Sequence, residues 1–198
     1  MPRIGYMRKK FVYQFEDIDI YFRYKKSIVY STNRRTEIYD GQNALKAQEI
    51  EIESVCHLES YDSLNEMALY NRSEILVILD IISFFTGVPF TTYNQISGDS
   101  SFVENIDLKQ RQTLLIIEGI DYSEQLNRLL ECIENEKGLI ISLLDRWRKA
   151  NFLSQESCDA NLYHDEAILS YFHIIELFSE TEGNLLKVKL KLQISSFL

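Results

Sequence analysis

A change of period just after residue 60 constrains this 198-residue chain more than any other feature. Before it, apolar and polar side chains alternate with the two-residue period of β-strands. The clearest stretch is Glu49–Leu58. Ile50, Ile52, Ser54, Cys56 and Leu58 fall on one face, and Glu49, Glu51, Glu53, Val55 and His57 on the other. That pattern predicts an antiparallel sheet with one wet side. After Tyr61 the spacing becomes helical. Ser63 and Glu66 form a capping box, and Leu64, Met67, Ala68, Asn71, Ile75, Ile78, Leu79, Ile82 and Phe85 follow on the 3.6-residue repeat. Gly87 and Pro89 stand where a helix should stop. The later half of this helix is apolar nearly all round, so it should be packed on more than one side.

The flanking segments extend both patterns. Phe11, Tyr13 and Phe15 alternate, then the phase shifts to Ile18, Ile20, Phe22 and Tyr24, which predicts a turn or bulge near Glu16–Asp17. Ser27–Thr32 is a further strand, with turns expected at Asn33–Arg35 and Asp40–Gly41. Phe90–Ile96 and Arg111–Ile120 read as strands separated by a polar loop at Gly98–Ser101. From Asp121 the chain is helical: Leu126, Leu129, Leu130, Ile133, Ile140, Leu144, Trp147 and Ala150 trace one stripe, Asp121 and Glu124 cap its start, and Gly138 marks a bend or break. A loop at Ser154–Asn161 leads to a helix over Asp165–Glu180, where Ile168, Phe172 and Ile175 are expected to be buried, and Gly183 ends it. Leu186, Val188, Leu190, Leu192 and Ile194 alternate with lysines in strand fashion. The fold class expected is α+β: an N-terminal mixed antiparallel sheet with one long helix over residues 1–120, then an all-helical unit over residues 121–198.

Charge and composition narrow the function. The net charge is −9, yet residues 1–35 carry nine basic side chains against three acidic ones. The acidic body discourages non-specific nucleic-acid binding, while the basic N-terminal strands could touch phosphate or be a solvated face. Cys56, Cys132 and Cys158 lie far apart, which argues for a reducing compartment rather than a disulfide framework. No apolar run follows the basic N-terminus, and Ile75–Phe85 is too short to span a bilayer, so a cytoplasmic location is expected. GxGxxG, GxxxxGK[ST], GxSxG and HExxH are all missing. His57, His164 and His173 have no metal-ligand spacing, and neither metal nor cofactor is expected.

Two groups of side chains could carry chemistry. His173 and Glu176 are three residues apart on one helix, the candidate catalytic pair. The competing reading makes His173 a hydrogen-bonded helix residue and pairs Glu176 with Arg146 or Arg148 to hold two helices together. Arg146, Trp147 and Arg148 form the candidate binding group, able to clamp and stack a nucleotide if they do not instead flank a tryptophan turned into the core.

The succession LLDRWRKANFL, a polar loop and DEAILSYFHIIELFSE resembles the HEPN helical domain, most nearly that of the Apea-like HEPN proteins of bacteria. Tyr171, Phe172, Ile174, Ile175 and Glu176 match the aromatic-hydrophobic-Glu core of that helix, and Phe84–Phe90 resembles the N-terminal half of such proteins. The resemblance implies a cytoplasmic protein, often dimeric, of antiphage defence or toxin–antitoxin systems. Active members are metal-independent ribonucleases that use an Arg and a His separated by four to six residues on a later helix. No histidine here has an arginine five to seven positions before it, so no catalytic residue carries over. The expectation is a C-terminally truncated HEPN-like protein without ribonuclease chemistry, associating with itself or with a longer HEPN-type partner. The alternatives are an RNA-cleaving HEPN ribonuclease, or its front part, and a sensor domain for a ligand or nucleic acid. A membrane partner is not expected.

Overall fold

A computed structural model describes residues 3–13, 17–40, 43–58, 64–91, 94–106, 108, 110–156 and 163–180. In chain order these form β1 (Arg3–Tyr13), β2 (Ile18–Tyr24), β3 (Ser27–Asp40), β4 (Asn43–Leu58), α1 (Leu64–Thr86), β5 (Gln95–Val103), β6 (Leu114–Ile117), β7 (Ile120–Asp121), α2 (Ser123–Asn135), α3 (Lys137–Glu156) and α4 (His164–Glu180). The strands build one sheet in the order β5-β1-β4-β3-β2-β6-β7, and every neighbouring pair is antiparallel. The α+β class is as the change of period requires.

The alternation in the first four strands decides which face is covered. Met7, Phe11, Ile18, Ile20, Phe22, Val29, Ile50, Ile52 and Cys56 point to one side and are buried. Met67, Ile75, Ile78, Leu79 and Ile82 of α1, Leu126 and Ile133 of α2, and Ile140 and Leu144 of α3 pack on them in the same core. Residues on both sides of position 120 therefore share one core. Val77 and Ile81 bury the opposite flank of α1, which satisfies its all-round apolarity.

Several local expectations change where pairing outweighs propensity. The polar segment Gly98–Ser101 is not a loop but the middle of β5, because Lys9, Arg8, Met7 and Tyr6 of the long β1 pair with it in register. Arg111–Ile120 supplies only four residues to β6 before Glu118 and Gly119, at φ of 50° and 78°, turn the chain into β7. Two successive positive φ values fit the twist of a tight hairpin. Asn33–Arg35 lies inside β3, where the register to β4 shifts between Ser31 and Arg35. Beside that irregularity the Gln48 side chain takes over from the ladder. It accepts from the Ile18 N–H at 3.1 Å and donates to the Ile18 and Thr32 carbonyls at 2.8 and 3.3 Å. The break expected at Gly138 comes just before it, between α2 and α3; Asp121 accepts from the Ser123 N–H at 2.8 Å but lies one residue before the N-cap of α2, Tyr122, which makes no side-chain cap bond. Glu16, Gly41, Ser63, Cys158, Gly183 and the alternating segment 186–194 lie outside the described residues.

Candidate functional site

The residues singled out on the two C-terminal helices occupy three different surroundings. Successive helical positions diverge by roughly 100°, and Arg146, Trp147 and Arg148 follow that divergence. Arg148 turns inward and is buried. Its Nε donates to Asp80 of α1, its Nη2 to Asp145 at 2.9 Å and its Nη1 to the Phe90 carbonyl at 3.4 Å. Trp147 is half-buried with its ring edge-on to Phe84, centroids 5.7 Å apart. Arg146 is half-buried on a different side. The three do not make a nucleotide clamp.

The partner drawn for Arg148 also changes. Asp80, a residue notable in the sequence only for interrupting an apolar run, is 2% exposed and takes the guanidinium of Arg148, one of the two arginines offered to Glu176. Burial raises the Asp80 carboxyl to about 6, against the opposing pull of Arg148. This pair ties α3 to α1 and to the chain after Pro89. Asp145 binds both Arg148 and Lys149, the latter at 2.6 Å. A buried charge pair of this kind fixes how two helices meet rather than adding much net stability.

On α4 the expected buried stripe is displaced by about one residue. Ala167 and Ile174 face inward, and Tyr171 donates to the Asn151 carboxamide oxygen of α3. Ile168, Leu169, Phe172 and Ile175 are 53–59% exposed. The helix is apolar on nearly every side, so its sequence could not say which side α3 would take. His173 is half-buried and Glu176 is exposed, at the margin of the open stripe. Four large apolar side chains on one helix face form an exposed patch of the kind that marks an interaction surface.

A second polar constellation lies on the sheet face away from the helices. Lys10 and Glu51, and Arg8 and Glu53, are cross-strand partners of β1 and β4. Arg8 Nε donates to Glu51 at 2.6 Å, Lys10 lies 3.5 Å from Glu51, and the Tyr30 hydroxyl sits 2.7 Å from Glu51 and 2.6 Å from Glu53. Glu51 is 2% exposed. Burial pushes its carboxyl up, but the hydrogen bonds from Tyr30 and Arg8 outweigh that and hold it below the ordinary range. Burial, then the two carboxylates, pushes the Tyr30 hydroxyl well above its usual value. The alternating glutamates were visible in the sequence; their basic partners become visible only once β1 is known to pair with β4.

Among the described residues no group of three or more His, Cys, Asp or Glu side chains is placed to hold a metal ion, and no helix is long and apolar enough to cross a membrane. Comparison with protein-family models, with curated proteins and with solved structures finds no match for this chain.

Proposed function

We propose that this chain works by protein association: a HEPN-like protein of bacterial defence or toxin–antitoxin systems that lacks the Arg–His ribonuclease pair and joins a second copy of itself, or a longer HEPN-type partner, in the cytoplasm. The observation that carries the association is the open stripe of Ile168, Leu169, Phe172 and Ile175 on α4. The defence setting rests on the resemblance of the α3–α4 sequence alone. Burying such a stripe against a second apolar surface is favourable at about 25 cal/mol per Å² removed from water. Sizing by light scattering over a concentration series tests the reading. The expected result is a dimer that Phe172→Asp converts to a monomer with an unchanged circular dichroism spectrum. A wild-type monomer at every concentration, with no capture of a longer HEPN-type protein, overturns it. Cleavage of RNA by the pure protein, lost in His173→Ala or Glu176→Ala, would replace it with the ribonuclease reading.

A further inference from the structure

A cation stands among the apolar residues of the covered sheet face. Alternation along β1 puts Lys9 on the same side as the buried Met7 and Phe11, the side that α1 packs on. Across the strands Lys9 lines up with the buried Ile52 of β4 and Val29 of β3, and in the other direction with Gly98 of the edge strand β5. This row runs from the core to the sheet edge, and Lys9 is half-buried where it emerges. Gly98 gives it room. A Cβ there would come within 2.9 Å of the Gln95 Nε2 and 3.8 Å of the Lys9 Cγ. The lysine stem and the Gln95 carboxamide therefore flank the space that a side chain at position 98 would fill.

From above the strand, α1 brings a second cation to the first. Arg72 is exposed, and its charge is close enough to oppose that of Lys9: burial, then Arg72, lowers the Lys9 ammonium. Among the described residues neither cation makes an ion pair or a side-chain hydrogen bond. Arg8 and Lys10, the chain neighbours of Lys9, differ in this respect, since both are held by Glu51 on the opposite face. The acids adjacent in sequence are directed elsewhere. Asp99 follows Gly98 but pairs across the strands with Arg8, on that opposite face. Glu74 lies roughly 200° round the helix from Arg72, where it accepts from the Ser27 hydroxyl at 3.2 Å. Two like charges brought together, one of them half-buried, are a disfavoured arrangement that a bound anion would relieve. Leu69 stands one turn before Arg72 on the same side of α1 and is exposed beside them.

We propose that Lys9 and Arg72, with the Gln95 carboxamide, bind the phosphate of a small organic phosphate monoester whose apolar part lies on Leu69. Such a phosphate carries about −1.5 to −2 charges at neutral pH, which two cations neutralise, and its oxygens accept from the strand, the helix and the edge strand together. The net charge of −9 works against a long polyanion such as nucleic acid. No residue of α4 takes part, so this site and the association surface can fail separately. NMR titration of the full chain with phenyl phosphate, benzenesulfonate and inorganic phosphate tests it. The expected result is saturable shifts at Lys9, Arg72, Gln95 and Gly98 with phenyl phosphate, about tenfold tighter than with benzenesulfonate, which has a single charge, or with inorganic phosphate, which has no ring. Arg72→Gln should weaken binding by about tenfold, the effect of removing one charge-assisted hydrogen bond. Lys9→Gln, with its fold checked by circular dichroism, should do the same, whereas Arg128→Gln, at an exposed arginine of α2, should leave binding unchanged. No saturable shift, equal binding of either comparison anion, tighter binding of an RNA oligonucleotide at these residues, or binding unchanged in Arg72→Gln overturns the proposal.

Discussion

Asp80 and Arg148 show how far a single residue's role depends on what faces it. Removing the arginine leaves a buried carboxylate without its cation, so Arg148→Met should lower unfolding stability by about 3–5 kcal/mol at neutral pH in urea titrations, and Asp80→Leu in the same chain should recover a large part of it. The same carboxyl gives a pH signature. Its folded value of about 6 lies above the ordinary 3.8, so between those values the folded chain holds a proton that the unfolded chain releases. Its contribution therefore makes stability fall as pH rises from about 4 to about 6. Urea midpoints of wild type and Asp80→Asn check the sign: wild type should gain on the variant as pH drops from 6 to 4. Glu51 works the other way. Its lowered value contributes stability above the ordinary carboxylate range that is lost as pH falls through it. Asn71 is a different case. It is fully buried in α1, and neither polar atom of its side chain has a partner among the described residues. Asn71→Leu, similar in volume and without polar atoms, should raise stability by about 1–3 kcal/mol in the same assay.

At the scale of elements, α1 is the central piece because it is covered on two sides, by the sheet and by α3. Among the described residues α4 is covered on one side only. Its backbone amides should exchange with deuterium well before those of α1, since local opening there exposes little that is not already exposed. The hairpin between β6 and β7 gives a sharper check. Gly119 sits at φ of 78°, where a Cβ would meet no neighbouring atom within 4 Å but the backbone conformation itself is strained. Gly119→Ala should cost about 1–2 kcal/mol by denaturant titration, through that strain alone.

For the whole molecule, the shared core has a direct consequence. Leu126, Ile133, Ile140 and Leu144 pack with Phe22, Ile50 and Ile52, so the sheet and α1–α3 should unfold in one calorimetric transition rather than as a β-rich unit and a helical unit in turn. The two faces of the sheet then divide the work. One face holds the helices and, through α3, presents α4 and its open stripe. The other carries the Tyr30–Glu51–Arg8 network.

Much of this was legible in the chain itself. The alternation of Glu49–Leu58, the capped apolar run of α1 and the stripe through Leu126, Ile133 and Ile140 report burial directly, because a strand or helix with one apolar face must cover that face. The α+β class follows from where the two periods meet. Pairing and docking were not local properties. Gly98–Ser101 has the composition of a loop and became a strand only because β1 needed a neighbour. The sequence offered Glu176 either Arg146 or Arg148, and the packing of α3 on α1 gave Arg148 to Asp80, a residue the sequence did not bring forward as its partner. The apolar stripe of α4 was clear in the sequence, but its direction was not, because a helix apolar on most sides leaves the choice of inner face to its neighbour.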